Sequence, residues 1–201
     1  LLFIHDTMKE KRYAKKRGII VTIGEEKTVH RETIFEGKII DVYVDDVVLQ
    51  DGSTSKREIV QHGGAVAVIA LQDDRILLVE QYRKPIERMS VEIPAGKLEV
   101  GEKPLDTAKR ELEEETGYRA NQWTFVQRFA TSPGFASEVI HIYFAQDIYQ
   151  VEDPLPLDEG EFVKVYSVTI EESERMMKEE HIFDAKTAFA LLYVKDFLHY
   201  N

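Results

Sequence analysis

The pattern of apolar and polar positions divides the chain into a strand-rich first part, a central helix, further strands and a helical end. Residues 19–23, 39–44, 46–50 and 57–61 are rich in β-branched and aromatic side chains and predict short strands. Gln50-Asp51-Gly52-Ser53 lies between two of them, and Asp-Gly at such a place is a hairpin signal. Gly64–Leu71 is apolar on both faces, as a fully buried strand must be. Residues 72–75 form a turn, and Ile76–Tyr82 is the return strand. Further strands are expected at Trp123–Ala130, Val139–Ala145 and Phe162–Val168, with a polar loop over 150–160.

The helical pattern is strongest at 104–116. Leu105, Ala108 and Leu112 recur at helical spacing and define a buried stripe. Pro104 suits a first turn, where its missing N–H costs nothing, and Gly117 is a natural stop. Two more helices are expected at about 170–180 and, with Asp184 as N-cap, from Ala185 to about His199. Strands on both sides of one helix, with helices at the end, predict an α+β domain: a mixed sheet sandwiched between helices. The early strands are too few to build a core of their own. They must pack on the main domain, which starts near Gly63, or on a second copy of the chain.

Composition narrows the possibilities. With 201 residues, 43% hydrophobic and 31% charged, the chain suits one ordinary domain with an appended element. A net charge of −11 argues against a duplex nucleic-acid partner. No cysteine is present, which excludes disulfides, thiolate zinc sites and cysteine nucleophiles. No apolar run approaches the length of a membrane-spanning helix, so the expected compartment is cytoplasmic. Residues 1–17 include the basic run 9–17, expected to be a mobile tail. The chain opens on Leu, and Met8 is a candidate start that would make residues 1–7 an appendage.

The central helix carries an unusual set of carboxylates. Glu111 and Glu115 stand four apart and lie one above the other beside the apolar stripe, with Glu114 on the adjoining row and Glu113 pointing the opposite way. Like charges at that spacing weaken a helix by roughly 0.2–0.5 kcal/mol per pair. A hard divalent cation reverses the sign, because Mg²⁺ takes carboxylate oxygens together with water and substrate phosphates. Such ions suit phosphoryl chemistry, which further requires a cationic clamp, a base near the attacking water and a pocket for the organic group.

Arg83, ending Gln81-Tyr82-Arg83, is the best clamp candidate, against the alternative of an ordinary sheet-edge charge. Arg57 is a weaker one. Arg110 reads as a structural partner for neighbouring carboxylates. Glu161, after the acidic stretch Asp158-Glu159-Gly160, is by itself a loop acid that Gly160 could let swing over a site. Residues 131–138, Thr-Ser-Pro-Gly-Phe-Ala-Ser-Glu, form a rigid turn ending in an acid. His62, His141 and His181 have no ligand spacing.

The spacing Gly96, five residues, Glu102, seven residues, Arg110-Glu111-Leu112, one residue, Glu114-Glu115, one residue, Gly117-Tyr118 resembles the Nudix box, with all nine fixed positions filled over 23 residues. Beyond the box, Arg57-Glu58, Gly64-Ala65-Val66, Gln81-Tyr82-Arg83, Glu92-Ile93-Pro94-Ala95-Gly96, Ser132-Pro133-Gly134-Phe135 and Asp184-Ala185-Lys186-Thr187 resemble the ADP-ribose pyrophosphatase branch of that family. The similarity runs from about Phe35 to Tyr193.

The resemblance implies a Nudix fold with an N-terminal antiparallel β extension (18–61) ahead of a hydrolase domain (62–201). It implies Mg²⁺- or Mn²⁺-dependent hydrolysis of ADP-ribose to AMP and ribose 5-phosphate, with two or three ions per site. ADP-glucose, GDP-mannose or another nucleoside diphosphate sugar is the alternative substrate, and a non-hydrolysing ADP-ribose sensor the more distant one. Carried over position by position, Glu111, Glu115 and Glu114 match metal ligands, joined by the Ala95 carbonyl. Glu161 matches the glutamate that prepares the water, and Arg83 a phosphate-contacting arginine. Glu138 matches a position near the terminal ribose, and Gly134 lies in the turn before it. Phe35 or Tyr43 would stack on the base, and Arg57 lies in the same N-terminal segment. A homodimer with exchanged N-terminal strands is also implied, with no nucleic-acid or membrane partner.

Overall fold

The computed structural model describes residues 13–16, 19–22 and 24–200, which form two units. The expectations about Met8 and residues 1–12 lie outside the described residues. Unit 1 comprises the chain up to His62 together with Gly134–Ser137. Strands β1 (Tyr13–Lys16) and β2 (Ile19–Thr22) pair as an antiparallel ribbon, so part of the basic run expected to be a mobile tail is a strand.

The rest of unit 1 is a three-stranded antiparallel sheet of β3 (Lys27–Glu36), β4 (Ile40–Val48) and β5 (Thr54–His62). The two segments expected at 39–44 and 46–50 are one continuous strand. Asp45 does not break it, because its carboxylate accepts Arg31 Nε and Nη2 at 2.7 and 2.8 Å and Thr28 Oγ1 at 3.0 Å from β3. The β4–β5 turn forms where Asp-Gly predicts it. Gly52 takes φ 82°, and the Asp51 carboxylate accepts the Ser53 N–H at 2.9 Å. The free edge of β5 is covered by the 134–137 segment, which exchanges Val60 N–H to Phe135 O (2.8 Å) and Ser137 N–H to Val60 O (2.9 Å).

Unit 2 is the expected mixed sheet between helices. Its strands are β6 (Ala65–Gln72), β7 (Arg75–Arg83), β8 (Arg88–Glu92), β9 (Ala95–Lys97), then, after helix α1 (Pro104–Thr116), β10 (Tyr118–Ala130), β11 (Val139–Gln150) and β12 (Lys164–Thr169). The order is β10-β11-β6-β7-β12, with β8 on β7 and β9 on β6. Only the β11–β6 pairing is parallel among these strands. Helices α2 (Ile170–Lys178) and α3 (Ala185–Tyr200) end the chain.

Alternation along β6 builds both layers. Ala65, Ala67, Ile69 and Leu71 face a core completed by Ile182, Ala190, Leu191 and Val194 on the α3 side. Val66, Val68 and Ala70 face Ala108 and Leu112 of α1. Along β11 the same alternation slips at Asp147, whose φ of 52° lets Tyr143, Ala145 and Ile148 all reach the α1 side.

Two short strands, β8 and β9, were not predicted, and β10 and β11 extend beyond the expected segments to Tyr118 and Gln150. Thr169 starts α2 with a capping box through Glu172. Asp184 caps α3 by accepting the Thr187 N–H at 3.0 Å. Among the described residues no helix is long and apolar enough to cross a membrane.

Candidate active site

Helix α1 lays Leu112 and Ala108 into the sheet and thereby sets Glu111 and Glu115 against β9. Proline at its first turn starts it, and Gly117 (φ 73°) ends it by donating its N–H to Glu113 O at 2.8 Å. Both carboxylates are largely buried. Glu115 Oε2 accepts the Ala95 N–H at 2.9 Å, which fixes that side chain and leaves the Ala95 carbonyl as a further oxygen donor. The Glu111 carboxylate fills the space over the Gly96 α-carbon, where a side-chain carbon would overlap it. Gly96 is therefore a packing requirement of Glu111.

Arg110 holds this array from the outer side. Its Nη1 lies 2.9 Å from Glu111 Oε1 and 2.7 Å from Glu114 Oε2, and its other nitrogens reach Glu102 at 3.3 Å. The expected structural role fits that geometry. Burial pushes the Glu115 carboxyl up to about 8, with Glu111 and Glu161 adding to the rise against the Ala95 N–H. Burial likewise pushes Glu111 up to about 7; Arg110 opposes this, while Glu114 and Glu161 add to it. Glu114 is raised for the same reason, by burial first, with Asp158 and Glu161 contributing against Arg110. Glu161 thus lies within electrostatic reach of all three helix carboxylates, on a loop where Gly160 takes φ 85°.

Crowded acids that hold protons near neutrality are relieved by a cation. The donors here, three carboxylates and a carbonyl, are all hard oxygen ligands and fit Mg²⁺ or Mn²⁺. Among the described residues no three His, Asp or Glu side chains converge closely enough to hold a metal ion by themselves.

Arg83 faces the same array, since its charge acts on Glu115, but its fork is engaged. Nε and Nη2 donate to Glu92 Oε1 and Oε2 at 2.9 and 2.7 Å. Glu92 is buried. Burial alone would raise its pKa, yet Arg83 and Lys186 together hold it down at about 2. Lys186 Nζ lies 2.5 Å from Glu92 and 3.0 Å from Asp184, while Thr187 Oγ1 accepts the Ile93 N–H at 2.9 Å. Glu92, Lys186 and Thr187 carry no role in the sequence reading. The available signal was a lone carboxylate inside the apolar run Val91-Glu92-Ile93, which can be buried only if paired.

The structure therefore brings Ala95, Glu111, Glu114, Glu115, Glu161 and Arg83 together in unit 2. Glu138 is also in unit 2, hydrogen-bonded to Thr131 across the turn. Phe35, Arg57 and Gly134 belong to unit 1. Phe35 is 54% exposed, and Arg57 pairs through Nε and Nη2 with Glu26 at 2.8 and 2.6 Å. His141 and His181 make no approach to the carboxylates among the described contacts.

This arrangement has counterparts among known proteins. Residues 61–191 match the NUDIX domain, and residues 26–60 match the nucleoside diphosphate sugar hydrolase N-terminal domain. The chain is 54% identical over 172 residues to an ADP-ribose pyrophosphatase of Bacillus subtilis, covering 85% of this chain and 93% of that protein. It is also 54% identical over 172 residues, with the same coverage, to a methanol dehydrogenase activator of Bacillus methanolicus. The crystal structure of an ADP compounds hydrolase superposes with a TM-score of 0.78 at 23% identity, over 89% of this chain and 96% of that one, and shares its fold. The chain belongs to the Nudix hydrolase family.

Proposed function

We propose that the protein hydrolyses ADP-ribose to AMP and ribose 5-phosphate. The observation that carries this is the carboxylate array against Ala95 and Gly96, in a chain 54% identical to an ADP-ribose pyrophosphatase. Nudix hydrolases depend on metal ions. Two or three Mg²⁺ (or Mn²⁺) ions would be held by Glu111, Glu115, Glu114 and the Ala95 carbonyl. When bound, such ions neutralise diphosphate oxygens and lower the pKa of a coordinated water.

Glu161 takes a proton from the attacking water, whose oxygen bonds to one phosphorus as the bridging P–O bond breaks. The released phosphate carries the electron pair away. Arg83 steadies the diphosphate, Glu138 and the Gly134 turn receive the terminal ribose, and Phe35 and Arg57 serve the base. We assign the working form to a homodimer with exchanged N-terminal strands, a reading supported by the exposure of Val29, Ile34 and Phe35 on β3. The absence of cysteine accords with a cytoplasmic setting.

Incubation with ADP-ribose and Mg²⁺, followed by chromatography for AMP and ribose 5-phosphate, tests the reading; no AMP overturns it. Running ADP-glucose and GDP-mannose beside it separates the sugar-nucleotide alternatives, and tight binding of ADP-ribose without product would favour a sensor. A second reading comes from the methanol dehydrogenase activator. On it, adding this protein with Mg²⁺ to a methanol dehydrogenase accelerates methanol oxidation, and the Glu115→Gln variant does not.

A further inference from the structure

A second concavity lies on the other side of α1 from Glu111 and Glu115. It has a volume of about 230 Å³ and is walled by the outer face of α1 and the ends of β10 and β11. Its wall combines cations with aromatic rings. Lys109, Arg110 and Arg119 supply three positive charges against the one carboxylate of Glu113, in a chain whose net charge is −11, and Trp123 and Tyr149 supply the rings.

Two of the cations are already tied. Arg110 is spent on Glu102, Glu111 and Glu114. Arg119 forks onto Glu113 at 2.6 and 2.7 Å with its side chain half exposed, and that carboxylate also accepts the Leu155 N–H at 3.2 Å. Lys109 has no hydrogen bond or ion pair among the described residues, so its ammonium is available at the rim. Trp123 spends its only polar atom on Ala120 O at 3.1 Å, which leaves the indole ring surface as what it offers a ligand. Tyr149, the cross-strand partner of Arg119, is exposed.

We propose that this cavity is a second binding site for a nucleoside monophosphate, independent of the reaction assigned to the carboxylate array. The base lies against Trp123 and Tyr149, and the phosphate is received by Lys109 and the outer edge of Arg119. An ammonium and a guanidinium together suit a phosphate dianion, and a planar base is the ring that an aromatic wall holds without demanding a sequence of hydrogen bonds. Because Arg110 lines this cavity and also bridges Glu111 to Glu114, an anion bound here shares a guanidinium with the candidate active site.

Trp123 is the only tryptophan in the chain, so its fluorescence reports the cavity directly. Titration of the full-length protein with AMP in metal-free buffer is expected to quench it saturably. The charge reversal Lys109→Glu should weaken the midpoint by at least about tenfold, the worth of one charged contact. Arg83→Ala, in the carboxylate array, should leave the midpoint unchanged. Inorganic phosphate is expected to compete with AMP without quenching. No saturable change with millimolar AMP, a quench that Lys109→Glu leaves untouched, or one that Arg83→Ala also removes overturns the proposal.

Discussion

The Glu111 carboxylate sits over the α-carbon of Gly96, in the only volume a side chain there could occupy. Gly96→Ala should displace the carboxylate and lower turnover by about 100-fold, the usual cost of moving a positioned group by an ångström. The fold should persist, since the overlap is with the side chain of Glu111 and not with backbone. Steady-state kinetics beside a melting curve check this, and an unchanged kcat would show that Glu111 does not need its present position.

Glu115→Gln removes the ionisable group but keeps the shape and an acceptor for the Ala95 N–H. Turnover should fall by about 1000-fold or more, while Tm measured without metal stays equal or rises, because crowded carboxylates cost stability. A melting curve shifted down with activity retained would reverse the assignment.

The raised carboxyls fix a pH dependence. In the unfolded chain Glu111 and Glu115 ionise near the ordinary carboxyl value of 4.5; folded, they do so only at about 7 and about 8. The folded state therefore holds more protons between those limits, and metal-free stability should decline as pH rises from about 5 to 8. Glu92 contributes with the opposite sign, since its stabilisation is lost as pH falls from 4.5 toward 2. Mg²⁺ should raise Tm most at pH 8, where both array carboxylates are ionised. Calorimetry from pH 5 to 9 with EDTA or Mg²⁺ measures both effects; a metal-free Tm that climbs toward pH 8 contradicts the array as described.

Lys186→Met leaves buried Glu92 with Arg83 as its only charged partner among the described residues. A loss of about 2 kcal/mol in stability is expected, the range for a hydrogen bond to a charged group. KM for the diphosphate should rise several-fold as Glu92 draws more strongly on Arg83. Lys186→Arg should recover part of both, and urea unfolding with initial-rate kinetics reads them.

Glu161→Gln should lower kcat by about 100- to 1000-fold with little change in KM or Tm, as befits an exposed loop acid acting on a proton. A KM effect alone would reassign it to substrate binding.

The parts of the fold governed by burial were legible in the sequence. Ala65–Leu71 is apolar because both its faces are covered, and the stripe Leu105, Ala108 and Leu112 marks the side of α1 that meets the sheet. Strand β3 was missed because every residue in it is exposed, so Lys27–Glu36 never had to alternate. The single strand β4 spans the gap between the expected segments because Arg31 and Thr28 shield the Asp45 carboxylate. The box carboxylates could be named because the spacing from Gly96 to Tyr118 resembles the Nudix box, on a helix that stacks residues four apart. The Glu92–Lys186 pairing could not, because local periodicity carries no information about partners 94 residues away.

That separation bears on how the protein is made. The clasp formed by Lys186 and Thr187 grips Glu92 and Ile93, directly before the Pro94-Ala95-Gly96 segment that positions Glu115 and admits Glu111. A chain still emerging from the ribosome presents all its helix carboxylates long before the clasp exists. Ordering of the Pro94-Ala95-Gly96 segment therefore waits on α3, which is made well after the helix that carries the box.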